Sequence, residues 1–122
     1  MEKTKANNKI HNKAKGDAGE DLACKFLEAQ GFEIYARNFV CQYGEIDIIA
    51  TRNDEIHFVE VKSRGTDYVP GRVAVNAGKQ KHIRKVAKYF LTINGLMYKH
   101  ICVFDVIEIT AGVVEFLENC FY

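Results

Sequence analysis

Apolar residues recur at helical spacing in two stretches of the chain. Leu22, Ala23, Phe26 and Leu27 form one stripe, which predicts a helix from about Asp17 to Gln30. Gly31 supplies its stop, with Phe32 folding back on Leu27 in a Schellman turn. Ile83, Val86, Ala87 and Phe90 form the second stripe, which predicts a helix from about Asn76 to Asn94, capped by Asn76 and ended by Gly95. Strand-like runs occupy Phe32–Val40, Glu45–Arg52, Glu55–Ser63, Ile101–Ile109 and Val113–Asn119. Asn53-Asp54 and Ala111-Gly112 are short turns inside two hairpins. The segment Gly65–Val75, with Pro70 and Gly71, reads as a loop long enough to act as a lid or a dimer arm. The order α-β-β-β-α-β-β places the chain in the α/β (α+β) class, with helices packed on a mixed sheet.

Composition narrows the class further. A chain of 122 residues, 48% apolar, fits one domain with a modest core. Residues 16–122 are read as that domain and residues 1–15 as a basic, flexible arm. No apolar run reaches the roughly 20 residues of a membrane helix, and the first residues lack the apolar centre of a signal peptide. A cytoplasmic protein with no membrane partner is the expectation. Cys24, Cys41, Cys102 and Cys120 have no C-x-x-C spacing and are expected to be plain thiols, Cys24 and Cys102 in the core.

The net charge of +1 conceals a segregation. Residues 1–15 carry five lysines against one glutamate. Lys79, Lys81, Arg84, Lys85 and Lys88 fall in a stretch without an acid, whereas Phe104–Tyr122 holds only acids. Such a separation favours a nucleic-acid partner. Lys81, Arg84, Lys85 and Lys88 lie opposite the apolar stripe, where they can grip phosphates or simply solvate a helix face.

The central hairpin carries the unusual charges. A symmetric turn at Asn53-Asp54 sets Ile49 opposite Phe58, Asp47 opposite Glu60 and Glu45 opposite Lys62. Asp47 and Glu60 then share one face, about 4.5–5.5 Å apart at Cβ. Two carboxylates that close repel by roughly 3–4 kcal/mol at an effective dielectric near 20. A shared proton, the neighbouring Lys62 or a divalent cation would offset this, and oxygen ligands of this kind suit Mg²⁺ or Mn²⁺. Glu20, on the border of the first helix's buried stripe, adds a carboxylate if that helix packs on the same face. The plainer alternative is a solvated polar stripe with a Glu45–Lys62 ion pair. His57 points to the face away from Asp47, and no Ser-His-Asp arrangement, P-loop or dinucleotide motif is present.

Asp47 followed by Glu60-Val61-Lys62 resembles the D…(E/D)-x-K signature of the PD-(D/E)xK nuclease superfamily, with its restriction-endonuclease-like fold. GDAGEDLACKFLEAQGFEIYARNF, GEIDIIA, FVEVKSR, FDVIEI and ENCF together resemble the YraN-like family. That bacterial group is related to archaeal-type Holliday junction resolvases. The likeness spans about residues 16–121. It implies metal ligands at Asp47, Glu60 and the Val61 carbonyl, with Glu20 assisting. It also implies a catalytic lysine at Lys62 and a polar helix residue near the site at Gln80. Ile46 replaces the superfamily's usual proline, and Val103 stands where many relatives have arginine. Arg64, at the strand end, is a candidate for bidentate contact with the scissile phosphate.

The function expected is a Mg²⁺- or Mn²⁺-dependent endonuclease on DNA, including branched DNA, with Lys62 orienting the attacking water and a homodimer as the form suited to a symmetric junction. The rivals are a nucleic-acid-binding or assembly protein that retains the fold without cutting, and a subunit that borrows its substrate affinity from another protein.

Overall fold

The computed structural model describes residues 13–64 and 77–121, with backbone alone for residues 13–17 and Arg64. The elements follow the expected order: α1 (Lys13–Ala29), β1 (Glu33–Cys41), β2 (Gly44–Arg52), β3 (Glu55–Arg64), α2 (Ala77–Ile93), β4 (Ile101–Thr110) and β5 (Val113–Phe121). The fold is α+β, a five-stranded mixed sheet in the order β1-β2-β3-β4-β5. Only β3 and β4 run parallel, joined by the crossover that contains α2. Helix α1 starts at Lys13, before the expected Asp17, and so takes in the last residues of the stretch read as a basic arm. The rest of that arm, the loop beginning at Gly65 and the Asn76 cap lie outside the described residues.

Both helix stops are Schellman motifs. Phe32 N–H donates to the Leu27 carbonyl and Gly31 N–H to that of Glu28, with Gly31 at φ 93°. Leu96 to Leu91 and Gly95 to Thr92 repeat the pattern at the end of α2. Ala111 and Gly112, at φ 51° and 80°, give the β4–β5 turn the twist that antiparallel strands need.

The sheet separates two cores. Ile83, Val86, Ala87, Phe90 and Leu91 of α2 pack with Ile46, Ile49, Phe58 and Phe104 on one face. Ala23, Cys24 and Leu27 of α1 pack with Ile48, Ala50, Val59 and Ile107 on the other. Gly19 lets α1 come close to β3, since a Cβ there would stand 2.8 Å from the Ser63 hydroxyl oxygen. Cys24 is buried as expected, whereas Cys102 is exposed, because it lies near the solvent end of β4 outside both cores. All four cysteines are free thiols. Among the described residues no helix is long and apolar enough to cross a membrane.

Candidate active site

The site forms where the central hairpin opens. The register runs as expected from Arg52↔Glu55 to Ile48↔Val59, and there the β2–β3 ladder ends. Asp47 does not pair with Glu60, nor Glu45 with Lys62, which corrects the extrapolated register. Beyond Ile48, β2 stays with β1 through Ile46↔Phe39 to Gly44↔Cys41. Strand β3 instead stays with β4, where Glu60 pairs with Val106 and Lys62 with Glu108.

Local irregularity in β2 and in its other neighbour, β1, explains the divergence. Ile46 and Ile49 reach the α2-side core while Ile48 and Ala50 reach the α1-side core, so strict alternation fails at Asp47. Across from it on β1, Asn38 adopts φ 53°, and no Asn38–Asp47 bridge forms. Asn tolerates this left-handed conformation better than most residues.

Asp47 closes the gap with its side chain. Its Oδ2 accepts the Val61 N–H at 2.8 Å, a donor that a continued ladder would have used. In an extended strand the N–H and C=O of one residue leave by the same edge, so the Val61 carbonyl is directed to the gap as well. Asp47, Glu60 and Glu45 line a cavity of about 470 Å³ with Tyr43, Gly44 and the first turns of α2. The two acids thus share one hollow, although they are not ladder partners.

Its electrostatics are tense. Burial, then the charge of Glu60, push the Asp47 carboxyl up to about 7, against the opposing effect of the Val61 N–H. Glu60 has two cations beside it. Lys79 Nζ stands 2.6 Å from Glu60 Oε2, and Lys62 Nζ 3.8 Å from the same oxygen. Lys62 therefore lies where the motif put it, in reach of Glu60.

Lys79, part of the acid-free stretch expected to favour nucleic acid, turns to Glu60. The spacing carries the signal: Lys79 precedes Ile83 by four residues and Val86 by seven, so it belongs to the inward stripe. His82 and Tyr43, unassigned from the sequence, also line the cavity. Gln80 is half-buried and is not among the lining residues. Lys81, Arg84, Lys85 and Lys88 are exposed on the outer side of α2.

Glu20 is held elsewhere. Helix α1 covers the opposite face of the sheet, and Glu20 Oε1 accepts the Asn38 Nδ2 hydrogen bond at 2.9 Å. Arg37 Nη2 is 3.6 Å from that oxygen, while Arg37 Nη1 binds Asp21 at 2.8 Å. The charge of Glu20 still adds to the upward push on Asp47. Among the described residues, no three His, Cys, Asp or Glu side chains gather as a ready-made cage. Two carboxylates on one hollow, with the Val61 carbonyl directed to the adjoining gap, nevertheless fit Mg²⁺ or Mn²⁺, which take few protein oxygens and complete their shell with water and phosphate.

The stretch that carries these residues matches a known family. The model of the uncharacterised protein family UPF0102 matches residues 19–109. The chain belongs to this family. A UPF0102 protein of Clostridium perfringens strain SM101 is 43% identical over 120 residues, covering 93% of this chain and 98% of the relative. UPF0102 proteins of Lachnoclostridium phytofermentans (38%, 92% and 96%) and Campylobacter jejuni strain RM1221 (41%, 85% and 90%) are similar in the same way. The UPF0102 match includes Glu20, Asp47, Glu60, Lys62 and Lys79 within its span.

A second buried polar cluster was not read from the sequence. His57 Nδ1 meets Asp105 Oδ2 at 2.5 Å and its Nε2 meets Glu55 Oε1 at 2.7 Å. Asp105 Oδ1 also accepts the Asn119 N–H at 2.8 Å. Burial opposes charge on His57, but the hydrogen bonds to Asp105 and Glu55 outweigh it and raise its pKa above the usual histidine value. As expected, His57 faces away from Asp47, with the Phe32 ring edge-on to it.

Proposed function

We propose that this chain is a divalent-cation-dependent endonuclease that hydrolyses phosphodiester bonds in DNA, branched or otherwise structured DNA foremost. The observation that supports this reading is the sharing of one solvent-accessible hollow by Asp47 and Glu60, with the Lys62 and Lys79 ammoniums beside them. Asp47, Glu60 and the Val61 carbonyl are the groups that would hold Mg²⁺ or Mn²⁺. Such an ion supplies Lewis-acid stabilisation of the charge that builds on a phosphoryl group and its leaving oxygen.

The remaining roles belong to the protein's own residues. The Val61 N–H fixes the Asp47 carboxylate in place. Lys62, held 3.8 Å from Glu60, sets a positive charge where phosphate oxygens gain negative charge and where an attacking water needs orientation. Lys81, Arg84, Lys85 and Lys88 grip flanking phosphates from the exposed side of α2. Glu20 tightens the site indirectly, through Asn38 opposite Asp47.

Calorimetric titration with Mn²⁺ tests the ligands: wild-type protein binds, and Asp47→Ala and Glu60→Ala do not. Cleavage of duplex, flap, nicked and four-way DNA then tests the chemistry. Loss of cutting in Lys62→Ala with Mn²⁺ binding retained is the expected result. Salt-sensitive DNA binding without cutting on any substrate would instead make the chain a non-cleaving nucleic-acid-binding protein.

A further inference from the structure

The cation nearest to the acid pair is not the motif lysine. Lys79 donates to Glu60 Oε2 at 2.6 Å, a charge-assisted hydrogen bond, whereas Lys62 at 3.8 Å is beyond hydrogen-bond reach of that oxygen. Their surroundings also differ. The Lys62 side chain is 21% exposed, while that of Lys79 is 45% exposed and rises from the first turn of a helix at the cavity mouth. One lysine is packed in position, and the other rests on the acid by its tip. An ammonium and a divalent ion cannot both use one carboxylate oxygen without strong repulsion.

We propose that Lys79 is a displaceable counter-ion: its ammonium neutralises Glu60 in the cation-free protein, and a divalent ion entering the site evicts it toward the phosphate of bound DNA. The inference rests on the reading of Asp47 and Glu60 as cation ligands. It assigns Lys79 a double duty. It lowers the repulsion between the two acids at rest, and it couples cation binding to DNA binding by exchanging its contact with Glu60 for one with a phosphate. By linkage, each ligand then strengthens the other.

The test uses the full chain and Mn²⁺ alone. Lys79→Met is expected to bind Mn²⁺ about tenfold more tightly than wild type, within the usual range of such coupling. Lys62→Met, which removes an equal charge beside the same oxygen, is expected to gain less. In wild-type protein, the ¹⁵Nζ signal of Lys79 should shift on addition of Mg²⁺ and stay unchanged in Glu60→Gln. Binding of a labelled four-way junction should tighten with Ca²⁺ in wild type, and tighten less in Lys79→Met. If Lys79→Met binds Mn²⁺ no more tightly than wild type, or the Lys79 signal ignores Mg²⁺, displacement is wrong while the metal site stands. If wild-type protein gives no Mn²⁺ heat, the metal reading itself fails.

Discussion

At the scale of residues, Asp47 is a group whose position costs stability. Its carboxyl titrates at about 7 because burial and Glu60 disfavour the charge. A folded-state pKa above the unfolded value means that the native state holds the proton more tightly. This contribution to stability is present at low pH and is lost as pH rises through about 7. Asparagine keeps an oxygen for the Val61 N–H and has no charge to bury. Asp47→Asn should therefore raise the melting temperature above neutral pH, by about 1–3 kcal/mol of stability near pH 8.5, with the gain fading toward pH 5. Thermal melts across that range check it, and a variant less stable than wild type near pH 8.5 would contradict it. His57 has the same sign. Held charged by Asp105 and Glu55, it contributes stability that is full below its unfolded pKa and declines as pH rises through its raised folded value. Its imidazole resonances should titrate above the ordinary histidine range, and His57→Gln should flatten the alkaline decline.

At the scale of elements, α2 carries both the site and half of the core. Phe90 is fully buried, edge-on to Tyr35, Phe39 and Phe58, and so ties β1 and β3 to the helix. Phe90→Ala should cost about 3–5 kcal/mol in denaturant unfolding, as a large buried ring lost from a packed core. It should also loosen the placement of Lys79, since the apolar stripe helps to hold that end of the helix over the acids. Helix α1 is anchored differently, by close approach. At Gly19 a Cβ would meet the Ser63 hydroxyl at 2.8 Å. Alanine at Gly19 gains up to about 1 kcal/mol of helix propensity but must turn the Ser63 hydroxyl aside, so Gly19→Ala should gain more in a Ser63→Ala background than in wild type, read in a double-mutant cycle. Additive effects would mean that α1 shifts freely instead.

At the scale of the whole molecule, charge of opposite sign is sorted onto different surfaces around a nearly neutral total. The exposed side of α2 is basic, and the acids of β5 lie on the edge strand at the far side of the sheet. A polyanion should therefore dock with orientation. Neutralising one of Lys81, Arg84, Lys85 or Lys88 should weaken binding to every DNA alike and reduce the log K against log [salt] slope by about 1. An unchanged slope would remove that face from the interface.

The order of the elements and most of their ends followed from periodicity because buried stripes and turn signals act locally, whereas the start of α1 lies four residues before its apolar stripe predicts. Leu27, Phe90, Asn53 and Gly112 each mark their place within a few neighbours. Hairpin counting put Asp47 and Glu60 on one side of the sheet but wrongly as ladder partners. Their actual meeting was not legible, because it depends on where β2 leaves β3, and that is decided by the αL conformation of Asn38, the broken alternation at Asp47 and the two separate cores. The positions of Glu20 and Lys79 followed from which sheet face each helix covers. The His57–Asp105–Glu55 cluster brings β3 against β4, a parallel pairing across a long crossover. Sequence spacing encodes the faces of single elements; only tertiary packing sets which faces meet, since those contacts join residues that no local pattern relates.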